Sequence, residues 1–262
     1  MKFSIITIVK NGFPEIELTI KSVFKQNYKN FEYIIFDGYS EDGTSELIKK
    51  KYKKKIKYYR KKDKGMYDGL NRAIKHAKGD YLINLHSGDF FYSNSVLRKF
   101  SKIINKNKSF DFFFSNLIYY NNDNDSITRV WKMPQLNNHK ISSFKIAHTS
   151  VCLKRIISKK ITYNDKLKIS ADTEYLLNLC KNFKGKYINT FFIYMRTGGL
   201  STSMKYLFKK IKEDLIILYK EFNLLFLVYY IYKISLKISG FKVNNSKLNG
   251  NFIKEKKKLV SL

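Results

Sequence analysis

The 262-residue sequence is poor in the residues that form disulfide frameworks and signal sequences. Its two cysteines, Cys152 and Cys180, are too few for a disulfide framework or a cysteine-based metal site, which predicts a reduced, cytosolic setting. The N-terminal residues run into an apolar strand without a small-residue cleavage site, so no signal peptide is predicted. The unbroken apolar run at residues 224–232 is shorter than the roughly 20 residues that a membrane-spanning helix needs.

Glycine motifs that cradle phosphates are also missing. No Gly-x-Gly-x-x-Gly follows the first apolar run and no Gly-x-x-x-x-Gly-Lys-Ser/Thr is present, which argues against dinucleotide dehydrogenases and P-loop NTPases. Acidic residues are scarce, 21 against 51 lysines and arginines, for a net charge of +30. Such an excess predicts an anionic partner: nucleic acid, anionic lipid or a phosphorylated substrate. The abundance of Lys, Asn and Ile and the two prolines indicate that compositional bias contributes to this charge.

Apolar runs alternate with amphipathic segments along the first hundred residues. Buried strands are predicted at residues 3–9, 31–36 and 56–59 and from Tyr81 onward, with a helix after each of the first three. This alternation is typical of a doubly wound α/β sheet that is mostly parallel, with helices on both faces. With 44% apolar residues, the chain is expected to form one large domain, or one domain with an extension.

Polar clusters follow the ends of these predicted strands. In open α/β sheets, ligands bind beyond the carboxyl ends of the strands, so the acids there are expected to share one edge. These acids are Asp37, Asp42, Asp68 and Asp89. Converging carboxylates repel one another unless a divalent cation lies among them, and such cations complete their shells with water and substrate phosphates. The sequence therefore predicts a metal-bridged nucleoside diphosphate, whereas a simple helix cap is the alternative for Asp89.

The second half is less regular, and its last part changes in character. Strands are predicted at residues 110–120, 127–131, 151–153 and 187–195, and a helix begins near Ser170. From residue 204 onward, apolar positions at helical spacing are accompanied by lysines, and the chain ends in a polar, lysine-rich tail. The predicted division is an α/β domain at residues 1–203 and a basic amphipathic helical extension with a polar tail at 204–262.

Four segments carry a resemblance to a known enzyme family. They are SIITIVKN at residues 4–11, IIFDGYSEDGT at 34–44, DKGMYDGLN at 63–71 and GDYLINLHSGD at 79–89. In this order and spacing they resemble the family 2 glycosyltransferases with the GT-A fold, and they are most similar to bacterial members that build surface polysaccharides. The resemblance is strong over residues 3–100, weaker over 140–201 and absent beyond residue 204.

The resemblance implies a nucleotide-sugar site along these segments. Asp37 would hydrogen-bond the base, with Ser40 and Asp42 shaping the loop beside it. The nucleotide pocket would be lined by Thr7, Val9 and Asn11. The other residues implied to bind the nucleotide sugar are Asp63, Lys64, Asp68, Asn71 and Ser87.

A metal ligand and a catalytic base are implied in the same way. Asp89 matches the metal-binding acid of the family's Asp-x-Asp-type motif, although Gly88 stands where many members carry another acid. The implied cofactor is a divalent metal, Mn²⁺ or Mg²⁺. Asp172 matches the family's base, with Glu174 as the alternative and a helix cap as the purely structural interpretation. Residues implied near the acceptor and the diphosphate are His148, Arg196 and Ser201.

The implied reaction is an inverting transfer, in which the base takes a proton from an acceptor hydroxyl as that oxygen attacks the anomeric carbon. The resemblance implies glycan or lipid-diphosphate-linked acceptors at the cytoplasmic leaflet. A helix with apolar and lysine-rich faces is attracted to anionic lipid, so the protein is expected to be cytoplasmic and peripheral on the inner face of the membrane. An ordinary packed helical subdomain is the alternative for residues 204–262.

Two other functions fit part of the sequence. A nucleotidyltransferase would use similar acids and a metal, but it usually carries a glycine-rich basic loop after the first strand, where residues 10–13 are KNGF. A nucleic-acid-binding module would explain the charge, and the basic run at residues 49–64 contains interleaved tyrosines. Positive charge without a known nucleic-acid-binding motif is weak evidence for binding nucleic acid, so no nucleic-acid partner is expected.

Overall fold

The structure, a computed structural model, describes residues 1–133, 135, 143–198, 204–238 and 246–261. Within these residues one nine-stranded sheet forms the centre of the fold, with strands in the order β3-β2-β1-β4-β8-β6-β9-β5 and β7 paired to β6. The strands are β1 Phe3–Val9, β2 Phe31–Asp37, β3 Lys57–Arg60, β4 Tyr81–Asn84, β5 Phe90–Phe91, β6 Phe112–Asn121, β7 Ser126–Trp131, β8 Val151–Lys154 and β9 Gly185–Arg196.

Helices connect the strands and extend the chain beyond them. The α-helices of the described residues are α1 Ile16–Phe24, α2 Thr44–Lys51, α3 Met66–Lys75, α4 Val96–Lys106, α5 Ala171–Asn182, α6 Leu207–Phe222, α7 Phe226–Ile238 and α8 Ser246–Val260. Short 3₁₀ helices lie at Ser143–Lys145, His148–Ser150, Ile157–Lys159, Met204–Tyr206 and Asn223–Leu225. The first half therefore alternates strand and helix as the sequence predicts.

The predicted α/β class is confirmed, but the sheet is mixed. The four N-terminal strands are parallel, since β1 lies between β2 and β4 and β3 adds to β2. Beyond them, β8 is antiparallel to both β4 and β6, whereas β6 and β9 are parallel. The antiparallel pairs involve β5, which follows β4 without a helix, and the strands around the β6–β7 hairpin, where the chain reverses direction within a short turn.

The carboxyl ends of the parallel strands form one edge of the sheet where a site could lie. Every residue of β1 is buried, and only the first residue of β2 is partly exposed. Val9 pairs with Asp37 and Asp37 pairs with Arg60, so the carboxyl ends of β1, β2 and β3 lie side by side. A ligand can therefore be met only by residues beyond these strand ends.

Helices α6 and α7 fold back on each other as a hairpin. The Nζ of Lys233 lies 2.8 Å from the Oδ1 of Asp214, although these residues would be about 28 Å apart in one straight helix. The rings of Phe222 and Tyr229 stack at 3.9 Å across the turn. By length and composition alone, the stretch Leu207–Leu236 could cross a membrane, a criterion that core helices of soluble proteins also meet.

The last helix, α8, completes a second hydrophobic cluster against the sheet, which the prediction of a polar tail misses. Phe252 is fully buried, and its ring lies 6.0 Å from Phe90, 5.1 Å from Tyr120 and 5.2 Å from Tyr194. These three aromatic residues belong to or adjoin β5, β6 and β9. A division of the chain at residue 203 therefore places in the second part a helix that fills the core of the first.

Candidate functional site

The loop after β2 is ordered by Asp37, whose carboxylate is fully buried. Its Oδ1 accepts the Ser40 N–H at 2.7 Å, and its Oδ2 accepts the hydroxyls of Ser45 at 2.8 Å and Tyr58 at 2.5 Å. The prediction that Asp37 binds the base is corrected here, because these three donors already occupy a carboxylate with no exposed surface. Asp37 fixes the loop rather than facing a ligand.

The end of β1 is tied to the same loop. The Asn11 N–H donates to Ser40 Oγ at 2.9 Å, and Asn11 Oδ1 accepts the Glu41 N–H at 3.0 Å. Asp42 accepts the Phe13 N–H at 2.8 Å, so residues 11–13 and 40–42 form one surface. Asn11 is exposed and remains a candidate ligand contact.

Two predicted pocket residues lie inside the core instead. Thr7 is fully buried, and its Oγ1 donates to the Leu85 carbonyl at 2.6 Å. Val9 is also buried among the apolar residues of the central cluster. Their predicted role in lining the pocket is corrected, because a strand buried on both faces presents no side chain to a ligand.

The segment before α3 is held by its own polar residues. Asp63 Oδ1 accepts the Gly65 N–H at 3.1 Å, and burial raises the pKa of the Asp63 carboxyl. Asp68 Oδ2 accepts the Lys64 N–H at 3.0 Å, while the Lys64 side chain is exposed. Asp63 lies beside the β2 loop, since a Cβ on Gly38 would meet its Oδ2 at 2.6 Å.

Asn71 is a structural link rather than a sugar contact. Its Nδ2 donates to the Tyr163 carbonyl at 2.7 Å, and its Oδ1 accepts the Tyr163 N–H at 3.0 Å. Both ends of the amide are therefore used to fasten α3 to the chain near residue 163. The predicted role beside the ribose and donor sugar is corrected accordingly.

The segment after β4 brings a buried carboxylate to the same edge. Asp89 Oδ1 accepts the Arg196 N–H at 2.9 Å, whereas Asp89 Oδ2 and Ser87 Oγ are buried without a hydrogen-bond partner in the described part of the chain. Burial raises the pKa of Asp89 to about 8. A Cβ on Gly12 would lie 2.5 Å from Ser87 Oγ, so the β1 loop approaches this segment closely.

The acids of the edge do not converge on one point as predicted. Asp37, Asp42 and Asp68 each bind local donors, and no three His, Cys, Asp or Glu side chains among the described residues stand together as a metal cluster. Asp89 alone keeps a buried carboxylate oxygen without a partner. One carboxylate fits a cation that takes its remaining ligands from water and substrate phosphates, as Mg²⁺ commonly does.

A chain of two imidazoles connects this segment to Asp172. The Nε2 atoms of His86 and His148 lie 2.8 Å apart, and His148 Nδ1 lies 3.4 Å from Asp172 Oδ2. Burial and the neighbouring His148 lower the pKa of His86 to about 3, so its imidazole is neutral. Asp172 stands in the first turn of α5 with about a third of its side chain exposed, which leaves it open to an acceptor.

Asp89 and Asp172 both raise the pKa of one tyrosine, Tyr119. Burial raises the pKa of Tyr119 to about 12, and both carboxylates add to the rise against the opposing effect of Arg129. The candidate metal ligand and the candidate base, 83 positions apart in the sequence, therefore belong to one electrostatic environment.

The alternative base, Glu174, faces elsewhere. Its Oε2 accepts from Asn164 Nδ2 at 2.9 Å, and its Oε1 lies 3.8 Å from Lys220 Nζ. Residues two positions apart on a helix point to nearly opposite sides, so only one of Asp172 and Glu174 can face His148. The geometry favours Asp172.

Arg196 lies beside the Gly88–Asp89 segment, and its predicted role near the diphosphate stays a prediction. Its Cδ would lie 3.0 Å from a Cβ on Gly88, and its guanidinium lies 2.8 Å from Glu15 Oε1. Gly88 has φ of 88°, so a side chain there would be strained as well as crowded. Ser201, the other predicted contact, lies outside the described residues.

Sequence reasoning gave no role to His86 or Glu15. The imidazole partner of His86 is His148, which lies 62 positions away in the sequence. Glu15 follows a proline at a helix start, a position where acids are common for capping alone. The spacing in the sequence carried no signal for either contact.

Comparison with known proteins finds relatives among the glycosyltransferases. The chain is 34% identical over 206 residues, covering 76% of it and 79% of the relative, to UDP-Glc:alpha-D-GlcNAc-diphosphoundecaprenol beta-1,3-glucosyltransferase WfaP of Escherichia coli. It also matches uncharacterised glycosyltransferases of Rickettsia species at 37 to 40% identity, but it spans only 16 to 32% of their length.

Two solved structures share the fold. TarS 1-349 of S. aureus in complex with UDP-GlcNAc has a TM-score of 0.69 at 17% identity, covering 100% of this chain and 81% of that one. The mannosyltransferase PcManGT of Pyrobaculum calidifontis, in complex with GDP-Man and Mn²⁺, has a TM-score of 0.61 at 12% identity, covering 99% and 74%. At these identities the likeness establishes a GT-A-like fold.

The family is shown by the sequence itself. The sequence model of glycosyl transferase family 2 matches residues 4–164, well over half of the chain, and includes all four segments at the strand ends. Together with the similarity to WfaP over three quarters of the chain, this match decides the assignment. The chain belongs to glycosyl transferase family 2.

Proposed function

We propose that the protein is an inverting glycosyltransferase that moves a sugar from a nucleoside-diphosphate sugar to a glycan or lipid-diphosphate-linked acceptor in the biosynthesis of a cell-surface polysaccharide, such as capsule or O-antigen. The observation that carries the proposal is the connection from Asp172 through His148 to His86, three residues before Asp89. It joins a carboxylate open to an acceptor with the segment that would face the donor diphosphate. Family membership supplies the reaction class.

In this reaction Asp172 takes the proton of the acceptor hydroxyl while the oxygen attacks the anomeric carbon. The bond between that carbon and the diphosphate oxygen breaks in the same displacement, so the configuration inverts and the nucleoside diphosphate leaves with the bonding electrons. His148 lies behind Asp172, and Arg196 borders the Ser87–Asp89 segment. No covalent nucleophile is needed.

Asp89 is the residue that would hold the divalent metal, through the Oδ2 that lacks a partner in the described structure. When bound, Mn²⁺ or Mg²⁺ supplies charge neutralisation for the leaving diphosphate. The presence of Mn²⁺ with GDP-Man in the structure of PcManGT supports a metal in this fold.

The donor and acceptor classes are supported by the names of similar proteins. WfaP is named for UDP-Glc and a diphosphoundecaprenol-linked acceptor, and TarS has been solved with UDP-GlcNAc. We therefore expect a sugar nucleotide as donor and a lipid-linked diphosphate as acceptor.

The test is a panel of UDP-glucose, UDP-GlcNAc and GDP-mannose, each with Mn²⁺ or Mg²⁺. Thermal shift identifies the donor that stabilises the protein, and release of UDP or GDP measures slow hydrolysis without an acceptor. At least one donor is expected to bind and to be hydrolysed in a metal-dependent way. If no donor of the panel raises the melting temperature or is hydrolysed, the proposal fails for these donors. Release of pyrophosphate from a nucleoside triphosphate incubated with a sugar 1-phosphate would favour a nucleotidyltransferase.

The α6–α7 hairpin is proposed as the element that meets the cytoplasmic membrane face. Its turn and outer side expose large apolar residues, with Leu224 89%, Val228 62% and Ile231 67% exposed. Lysines of the same hairpin are exposed as well, at positions 209, 212 and 220. Apolar insertion and attraction to anionic lipid would act together, each lysine near the surface contributing about 1 kcal/mol.

Replacing Leu224, Val228 and Ile231 together by serine is expected to abolish binding to vesicles that contain phosphatidylglycerol. The side chains are exposed, so folding should be little affected. Co-sedimentation with vesicles measures binding, and that of the unmodified protein should weaken with added salt, because screening acts within a Debye length. Truncation at residue 203 is unsuitable, since it removes Phe252 from the core.

A double replacement of Ile156 and Val260 by serine is the matched control, because both are exposed apolar residues outside the hairpin. This variant should bind vesicles as the unmodified protein does. Equal sedimentation of the hairpin variant, or binding independent of anionic lipid, would reject the membrane role. A change in oligomeric state of the hairpin variant on size exclusion would point to a contact between copies instead.

A further inference from the structure

The hairpin reaches into the candidate site through Glu213 of α6. Its carboxylate is buried, with the residue only 6% exposed, and accepts three consecutive backbone N–H groups. Oε1 accepts from Lys168 at 2.9 Å, and Oε2 accepts from Ile169 and Ser170 at 2.9 Å each. Residues 168–170 lead directly into α5, whose second residue is Asp172.

This carboxylate binds the N–H of the N-cap residue Ser170 and the two N–H groups before it, so it fixes the entry of the chain into α5. Ser170 occupies the position before α5 without a capping hydrogen bond from its side chain, and its Oγ is buried without a partner among the described residues. The N-terminus of a helix carries unsatisfied N–H groups and a partial positive charge. A negative group from α6 therefore stabilises the start of α5 and fixes the direction in which its first turn leaves.

A second contact holds the same turn from α7. The Nζ of Lys233 donates to Asp214 Oδ1 and to Thr173 Oγ1, both at 2.8 Å. Lys233 and Asp214 are both buried, and a buried ion pair contributes more to geometry than to net stability. Thr173 is the residue next to Asp172, so both helices of the hairpin hold the backbone that carries the base.

We infer that Glu213 is a positioning residue for transfer, which holds residues 168–173 so that the Asp172 carboxylate faces the acceptor hydroxyl. The inference rests on the proposed role of Asp172 as base. It makes the α6–α7 hairpin a part of the active site, whereas the sequence suggested an extension beside it.

The chain offers a matched control on the same helix. Glu221 of α6 pairs with Lys181 at 3.1 Å, and Lys181 lies in the last turn of α5. Glu213 and Glu221 thus join the same two helices at opposite ends, one beside Asp172 and one far from it. Both replacements remove a link between the two helices, whereas only a positioning role beside Asp172 predicts a lower kcat for Glu213→Gln alone.

The experiment compares Glu213→Gln with Glu221→Gln, using UDP-glucose and a synthetic GlcNAc-diphospholipid. Glu213→Gln is expected to lower kcat by about 100-fold, the size of effect that a misplacement of about 1 Å produces, with KM for UDP-glucose and affinity for UDP unchanged. Glu221→Gln is expected to leave kcat unchanged. Adding Glu213→Gln to Asp172→Asn should cost nothing further, because a residue that acts through Asp172 has no effect once the base is gone.

Hydrogen exchange of the peptide covering residues 167–175 tests the contact without turnover. Exchange should rise in Glu213→Gln and stay unchanged in Glu221→Gln. If Glu213→Gln does not fold, Thr173→Val replaces it, since it removes only the hydroxyl that Lys233 binds and should lower kcat with UDP affinity retained.

Equal kcat for the two glutamine variants, additive losses with Asp172→Asn, or unchanged exchange would each overturn the inference. These results differ from a failure of the proposed function, in which the unmodified protein itself neither transfers nor hydrolyses any donor of the panel. Exchange would then still decide whether Glu213 holds residues 168–170.

Discussion

Asp89→Asn is expected to lower transfer by about 10³-fold or more, because the side chain loses the charge that is proposed to hold the divalent metal. The amide keeps an oxygen for the Arg196 N–H, which donates to Asp89 Oδ1 at 2.9 Å. The amide has the size and shape of the carboxyl group it replaces, so the fold should stay intact. Asp89→Ala should show the same loss of activity.

Calorimetry with UDP measures the effect on binding directly. In the unmodified protein, UDP affinity should increase when Mn²⁺ is added, and in Asp89→Asn the increase should disappear. Asp80→Asn is the control, since Asp80 precedes the same strand β4 at its other end and accepts the Lys2 N–H. Unchanged turnover of Asp89→Asn would remove Asp89 from the site.

The first half of the fold could be predicted because local pattern and tertiary structure agree there. Apolar strands of the parallel region are buried on both faces, and the helices between them have one apolar side, so period and composition identify each element. Once the strands are predicted, their ends are known as well. The loop segments at residues 10–13, 37–44 and 85–89 come directly after those ends. The sequence thus predicted where a site would lie.

Which atoms face a ligand could not be predicted in the same way. Thr7 and Val9 belong to a segment that resembles the family, but they lie within the buried strand, whereas Asn11 lies beyond its end and is exposed. Asp37 has the right position, yet three donors from its own loop and from β3 occupy it. Saturation by neighbours is a property of the folded chain that residue type does not reveal.

The buried face of helix α8 was hard to predict because the C-terminal segment is rich in lysine. Leu248, Phe252 and Leu259 recur at helical spacing and lie on the inner side of α8, but lysines dominate the segment between them. The periodicity was present, and the composition of the segment hid it. Glu213 shows the opposite case, because one buried acid in a lysine-rich helix carries no local signal for the three N–H groups it accepts.

Asp172→Asn is expected to lower transfer by roughly 10²–10⁴-fold, the usual contribution of a general base, while donor binding stays near that of the unmodified protein. The amide keeps an oxygen for the Thr173 N–H, which donates to Asp172 Oδ1 at 2.8 Å. Initial rates with UDP-glucose and a GlcNAc-diphospholipid measure the loss, and calorimetry with UDP checks the donor side.

The same substitution should also change the two imidazoles behind the base. A carboxylate only accepts hydrogen bonds, so Asp172 favours a proton on His148 Nδ1, whereas an amide NH₂ in its place favours an unprotonated Nδ1. Nitrogen NMR of the imidazole groups should then report a new tautomer of His148, which lies 2.8 Å from His86 through Nε2. Glu174→Gln is the control, because that carboxylate binds Asn164 and lies near Lys220 on another side of α5. If Glu174→Gln instead shows the loss of transfer with donor binding retained, the base is Glu174. If neither variant does, the assignment of the base by resemblance in the second half of the chain is wrong.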